Sequence, residues 1–296
     1  MARILVVGIA TLDIINTVDA YPAEDSEVRA RARCLRRGGN AANTAVVLAQ
    51  LGHQCQWAGT LAEDASGAQI REDLLASGVN LDAAQTVAGG GTPTSYVTLS
   101  AANGSRSIVH FRQLPEYSFP AFSRIELDGL DWIHFEGRNI TETRAMLDHV
   151  HAVRPALPCS VEIEKPRPGI EALCTGPALL LYSRDYVRAL AGGEDSVDDP
   201  VDFLQTRHRQ LPRAEHVCAW AEGGAWGVDP QGQLVHAPAW DISPVVDTLG
   251  AGDTFNAGLI DASLAGLPLA TGLHKACSLA GRKCAQQGFQ GLCATQ

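Results

Sequence analysis

The chain has 296 residues, 46% of them hydrophobic, and a formal net charge of −10. That length and apolar content supply one sizeable core, and the acidic balance argues against a nucleic-acid partner. Its eight cysteines include no C-x-x-C pair, which reads as reduced thiols in a cytoplasmic protein. No apolar run reaches membrane-spanning length, and the N-terminus shows no signal-peptide pattern.

Ile4-Leu5-Val6-Val7-Gly8 is a short, continuously apolar run, the pattern of a parallel strand buried on both faces. Asp13 follows on the C-terminal side of that strand, where open α/β sheets bind ligands. A turn carboxylate is the simpler alternative. Residues 14–37 lack helical period and suggest a β excursion away from the main sheet. Gly38-Gly39-Asn40 then opens a helix of small and apolar residues, with Asn40 and Asn43 one turn apart on one face. Two amides beside a glycine approach can donate to and accept from hydroxyls. An N-cap plus an ordinary helical asparagine fits equally well.

A turn over Gly59–Gly67 precedes a helix predicted over 68–77. Gly89-Gly90-Gly91 is a flexible point, followed by β-rich segments at 94–98 and 106–111 with Asn103-Gly104 as the hairpin signal between them. From Asp131 onward strand and helix alternate. Strands are predicted at 132–135, 160–163, 178–182 and 217–221, with helices at 141–153, 186–191 and 200–210 between them. This predicts a mostly parallel sheet covered by helices on both faces. Residues 237–248 read as a further β excursion whose valines and Asp247-Thr248 end a strand, and a last helix is predicted over 269–286.

The most informative stretch is Val246-Asp247-Thr248-Leu249-Gly250-Ala251-Gly252-Asp253-Thr254-Phe255. Gly250-Ala251-Gly252 reads as a bare turn feeding a helix that starts near Asp253. Unpaired N–H groups and the helix dipole make such a place an anion site. A carboxylate there repels phosphate unless it takes a proton from the group that attacks phosphorus, the arrangement a kinase needs. Simple helix capping by Asp253 is the competing reading. The stretch is not a dinucleotide fingerprint, and the chain contains no P-loop motif.

Asp247-Thr248-x-Gly250-Ala251-Gly252-Asp253 resembles the C-terminal signature of the ribokinase-like (PfkB-type) carbohydrate kinases, and Gly38-Gly39-Asn40-x-x-Asn43 resembles their N-terminal one. Tyr21–Glu27, Glu136–Asn139, Val161–Arg167 and Cys218–Glu222 are similar to the ketose-phosphorylating members, so the resemblance runs from about Ile4 to Gly291. It implies a ribokinase-like α/β fold as a single domain over 1–296, with a small β lid formed by about 14–37 and 92–114. It implies an ATP-dependent kinase acting on a primary hydroxyl of a ketose, with fructose giving fructose 1-phosphate. Ribose, another ketose, a nucleoside, or a non-catalytic sugar or nucleotide sensor remain as alternatives.

By the same resemblance, sugar is bound by Asp13, Asp25, Gly39, Asn40 and Asn43, with Asp25 serving its own or a neighbouring subunit. Asp253 is the base, and Gly250, Ala251 and Gly252 stabilise the transferring group. Nucleotide lies along Arg106, Ala221, Glu222, Gly223, Gly224, Gly250 and Gly252, with Trp226 either walling the adenine or simply packing. Mg²⁺ is organised by acids near the strand ends, Glu136, Glu162 and Glu164, with Glu164 acting through water. Two departures stand out. Ala62 replaces a usual glycine in the 59–67 turn. Ser183-Arg184-Asp185-Tyr186 replaces the usual Asn-x-x-Glu, so Tyr186 stands where a magnesium-organising glutamate is expected. The resemblance also implies a homodimer through the lid and leaves a monovalent cation requirement open.

Overall fold

The computed structural model describes residues 1–102, 105–193 and 196–293. The expected hairpin signal Asn103-Gly104 lies outside the described residues. Strand β1 (Arg3–Val7) begins the main sheet. The chain then leaves it to form β2 (Thr11–Val18) and β3 (Ala32–Gly38), an antiparallel pair, before helix α1 (Asn40–Gln50). Next come β4 (Gln54–Ala58), β5 (Thr60–Ala62), α2 (Ala65–Ala76) and β6 (Gln85–Val87). A second excursion carries β7 (Thr94–Ser100) and β8 (Arg106–Phe111). After the short α3 (Phe119–Phe122), the order is β9 (Trp132–Glu136), α4 (Ile140–Val153), β10 (Cys159–Ile163), β11 (Leu179–Ser183), α5 (Arg184–Ala191), α6 (Val201–Gln210) and β12 (Glu215–Ala219). The described chain ends with β13 (Ala225–Val228), β14 (Leu234–Ala237), α7 (Ala251–Leu264) and α8 (Leu269–Cys284).

The main sheet has the order β14-β13-β12-β11-β10-β9-β1-β4. Every pairing from β12 to β4 is parallel, and β13 and β14 add an antiparallel edge. Its strands are apolar without alternation because both faces are buried. Ile4 and Val6 join one core, shared with α1, α2, α7 and α8, while Leu5 and Val7 join the other, under α3, α4 and α5. Leu179 and Leu181 against Leu180 and Tyr182 repeat this division. Parallel strands with helices on both faces follow directly from such runs.

The two excursions pair with each other in a separate four-stranded sheet, order β3-β2-β7-β8. Period-2 alternation there puts Arg36, Asp13, Ser95 and His110, matched in register across the four strands, on one face. Leu35, Ile14, Tyr96 and Val109 share the opposite face.

Four expectations are corrected. Asp13 lies inside β2, not on a loop after β1. Helix α2 starts three residues earlier than predicted, because Asp64 Oδ1 accepts from Gly67 N at 2.6 Å and caps it. No strand occupies 238–250. Pro238 and Pro244 lack the N–H a ladder needs, and Val245 and Val246 are exposed rather than buried. Finally, Ala251 and Gly252 are already helical, so the turn ends at Gly250. The hairpin β13–β14 was not predicted, since its four-residue strands carry too little periodicity to register.

Candidate active site

Gly250 caps α7 with φ +82°, a left-handed conformation, and a Cβ there would enter the Phe289 ring. The first intrahelical bond is Thr254 N to Gly250 O at 2.9 Å, reinforced by Thr254 Oγ1 at 2.8 Å. The N–H groups of Gly252 and Asp253 precede it and have no carbonyl within the helix to bond. A Cβ on Gly252 would meet open space, so this helix end faces a vacant approach.

Asp253 itself is 6% exposed. Asn43 Nδ2 donates to its Oδ2 at 2.6 Å, Arg37 Nη1 donates to Asn43 Oδ1 at 2.5 Å, and Arg37 Nε pairs with Asp73 at 2.5 Å. Four elements thereby fix one carboxylate. Burial pushes its pKa up to about 7. The Asn43 bond opposes that rise, and the charges of Glu164 and Glu136 add to it.

Two further carboxylates end neighbouring parallel strands. Glu136 and Glu162 are register partners on β9 and β10. Glu136 accepts from Ile9 N at 2.9 Å and Arg138 Nη1 at 3.2 Å. Glu162 accepts from Asn40 Nδ2 at 3.1 Å and Asn256 Nδ2 at 3.0 Å. Burial raises both pKa values, that of Glu162 well above the ordinary range, helped by Asp253. Asn40 and Asn43 thus lie one turn apart but serve different acids, a division their spacing does not show.

Gly39, at φ +95°, caps α1 and lets the backbone run against Ile9 and Ala10. Asp13 Oδ1 accepts from Thr11 Oγ1 at 2.9 Å. Arg106 Nη1 donates to Thr248 Oγ1 at 2.5 Å. Asp25 lies on the exposed connection from β2 to β3 at φ +58° and makes no hydrogen bond to the other predicted site residues. Ala221–Gly223 is a single 3₁₀ turn after β12; Glu222 is exposed and pairs with Arg184 at 3.0 Å, while Gly224 at φ +85° turns into β13. Trp226 packs on His236, ring centroids 4.1 Å apart. Tyr186 is fully buried and its hydroxyl donates to Glu171.

A profile of the pfkB family carbohydrate kinases matches residues 1–295. The chain belongs to that family. It is 38% identical to ketohexokinase of Mus musculus across 98% of both proteins, and 25% identical to ribokinase of Bacillus subtilis across 98% of this chain and 96% of that one. Among solved structures, a putative ribokinase from Agrobacterium tumefaciens superposes with a TM-score of 0.84 at 20% identity, covering 97% of this chain and 92% of that one. Arabidopsis thaliana ribokinase complexed with ribose and ATP gives 0.78 at 19% identity, covering 100% and 99%. The ribokinase-like fold and the kinase resemblance drawn from the two signatures therefore hold over the whole chain.

In this pfkB kinase, sequence reasoning overlooked one hub. Asp247 accepts from Arg36 Nη1 at 2.6 Å and Nη2 at 3.2 Å, from Leu249 N at 3.0 Å, from Gly288 N at 3.1 Å and from Lys283 Nζ at 3.0 Å. Burial alone would raise its pKa, but Arg36, the Gly288 N–H and Lys283 hold it well below the ordinary range. A signal for Lys283 did exist. It falls at the fourth place of the stripe Ala276, Leu279, Ala280, Lys283, where an apolar residue belongs, and it is 0% exposed.

The family implies a metal. Among the described residues, no three His, Cys, Asp or Glu side chains converge as a metal-binding group. The oxygens of Glu136 and Glu162 accept from N–H donors, whereas the Glu164 side chain is 39% exposed and 3.5 Å from Lys165 Nζ. Of these three acids Glu164 is the most exposed, so a hard cation that keeps its water shell would be met there through water rather than in a protein cage. All eight cysteines are free, and no described helix is long and apolar enough to cross a membrane.

Proposed function

We propose that the chain is an ATP-dependent ketose kinase that transfers the γ-phosphoryl group to a primary hydroxyl, converting fructose to fructose 1-phosphate. The observation that carries this is the placement of Asp253: a buried carboxylate with a raised pKa, held by Asn43, on a helix N-terminus that faces open space. A sensor gains nothing from a base at an anion site. The choice of a ketose rests on the 38% identity to mouse ketohexokinase.

In this reading the sugar lies against Asp13, Gly39, Asn40 and Asn43, whose acceptors and donors suit hydroxyls. The substrate hydroxyl attacks the γ-phosphorus, its proton passes to Asp253, and the bond to the β-phosphate oxygen breaks to release ADP. The N–H groups at Gly252 and Asp253 meet charge spreading over the phosphoryl oxygens, at the end of the Gly250-Ala251-Gly252 stretch. The nucleotide runs along Arg106, the 221–224 turn and Gly250–Gly252. Glu164 would hold magnesium through water, and the ion would supply neutralisation of the phosphate charge. The small sheet is the lid over the sugar.

A coupled ADP-release assay with Mg-ATP tests this across fructose, other ketoses, ribose and adenosine, with Asp253→Ala as blank. Activity peaking on fructose, with phosphate on O1, is the expected result. A peak on ribose or adenosine would replace the acceptor and keep the mechanism, and no acceptor above blank would point to a sensor.

We also propose a homodimer through the outer lid face. Leu35 (40% exposed), Tyr96 (47%), Val109 (68%) and Phe111 (45%) expose a large apolar area there, on a sheet with two open edges. Asp25, on the exposed tip, then reaches sugar in its own or the partner subunit. Sedimentation should give about twice 31.4 kDa, and a stable monomer mass would remove the dimer.

A further inference from the structure

The loop entering the anion site is gripped from the lid by two arginines. Arg36, on β3, pairs bidentately with Asp247, and Arg106, on β8, donates to the adjacent Thr248. A cleft of about 250 Å³ lies between the lid face and the 245–249 loop, lined by Ile15, Val97, Leu99, Val246 and Leu249 among others. Among the described residues, the hydrogen bonds and ion pairs that join the lid sheet to residues 245–249 are those of Arg36 and Arg106.

Arg36 has a second neighbour. It is the cross-strand partner of Asp13 on the same face, and the Asp13 charge adds to the raising of its pKa. The guanidinium is thus bonded to Asp247 and also interacts with the charge of the proposed sugar acceptor. Neutralising Asp247 does not require it, because the fully buried Lys283 is already 3.0 Å away. Lys283 belongs to a packed core helix, whereas Arg36 rides on the lid. Asp247 also orients the turn into α7 by accepting from Leu249 N, one residue before Gly250. Movement of the lid therefore changes the partner set of the carboxylate that shapes the anion site.

We propose that Arg36 is a positioning residue that couples sugar binding under the lid to nucleotide binding at Gly250–Asp253, through Asp247. The proposal rests on the functional reading above, with sugar at Asp13 and phosphates at the start of α7. Sugar bound to Asp13 holds the lid down and keeps the guanidinium on Asp247, which presents the N–H groups in place. With the lid free, the pair opens and the turn loosens. Binding linkage makes the effect reciprocal, so nucleotide should tighten sugar by the same factor.

The test is calorimetric titration of a non-hydrolysable ATP analogue with Mg²⁺, with and without saturating D-fructose, in the full-length protein and in Arg36→Met, Arg36→Gln and Arg36→Lys. In the wild type, fructose should tighten the analogue about tenfold, within the usual span of such couplings. In the Met and Gln variants the enhancement should fall below about twofold, with affinity for the analogue alone little changed. Lysine keeps the charge but not the bidentate geometry and should restore part of the coupling. A role in stability alone would lower the melting temperature and leave the ratio of affinities untouched. Full coupling in Met and Gln variants that melt as folded proteins would overturn the latch. So would a wild type that binds both ligands without coupling. A wild type that binds neither fructose nor the analogue would instead overturn the functional reading beneath it.

Discussion

Asp253→Asn should lower kcat by about 10²–10⁴ while changing the affinity for sugar little, the loss typical of removing a positioned general base. The substitution keeps the shape of the side chain. Asn43 Nδ2 now donates at 2.6 Å to one carboxylate oxygen, and an asparagine can offer its carbonyl oxygen to the same donor. What disappears is the acceptor for the proton of the attacking hydroxyl. The helix N-terminus still meets phosphate, so KM should stay close to the wild-type value, the pattern of an interaction made only in the transition state. Steady-state kinetics on the preferred sugar decide the matter, and near-normal turnover would remove Asp253 from the base role.

The pH profile gives an independent readout of the same group. Only ionised Asp253 can accept a proton, and burial holds its pKa near 7. In the wild type, kcat/KM should therefore fall about tenfold per unit below pH 7, and the residual activity of Asp253→Asn should lack that limb. Stability moves the opposite way. The folded pKa lies above the ordinary 3.8. Below pH 3.8 the carboxyl is neutral in both states and its burial is harmless. As pH rises toward 7 the unfolded chain ionises first, and the folded state loses ground until Asp253 ionises as well. Asp253→Asn never ionises, so it should melt above the wild type at pH 8, with the gap closing toward pH 4.

Those two behaviours belong to a residue that stood out in the sequence, and the reason is local. Gly250-Ala251-Gly252-Asp253 announces itself because helix start, glycine approach and carboxylate are consecutive. The parallel strands were equally legible, since burial on both faces leaves unbroken apolar runs such as Ile4–Val7 and Leu179–Tyr182. What stayed hidden is pairing over distance. Arg36 lies 211 residues from Asp247 and Lys283 lies 36 residues from it. Nothing in periodicity links charges so far apart. Arg37, on β3, likewise acts through Asn43 of α1 on Asp253 of α7. The 238–250 segment failed for another reason. Its valines have strand propensity, but the prolines around them deny the ladder its donors, and tertiary context left those valines at the surface.

Removing the hub should have the largest effect on stability. Asp247→Ala leaves the Lys283 ammonium, 0% exposed, facing a main-chain carbonyl and the Phe289 ring 5.3 Å away, with no counter-charge. Stripping one partner from a buried ion pair typically destabilises by about 3–5 kcal/mol, because the other charge remains out of water. Leu249 N and Gly288 N lose their acceptor in the same step. Urea denaturation at pH 7 should register this loss. The sign with pH follows from the depressed pKa of Asp247. Its contribution is present above the ordinary 3.8 and is lost as pH falls through its lower folded value, so wild type and Asp247→Ala should converge only in strong acid. Adding Lys283→Met removes the orphaned charge and replaces it with an apolar chain of similar length. The double variant should then be more stable than the sum of the two single losses predicts, by about 0.5–3 kcal/mol. Strict additivity would mean that the ammonium finds water or another acceptor when Asp247 is gone, and that the loop before Gly250 is held by its backbone rather than by this pair.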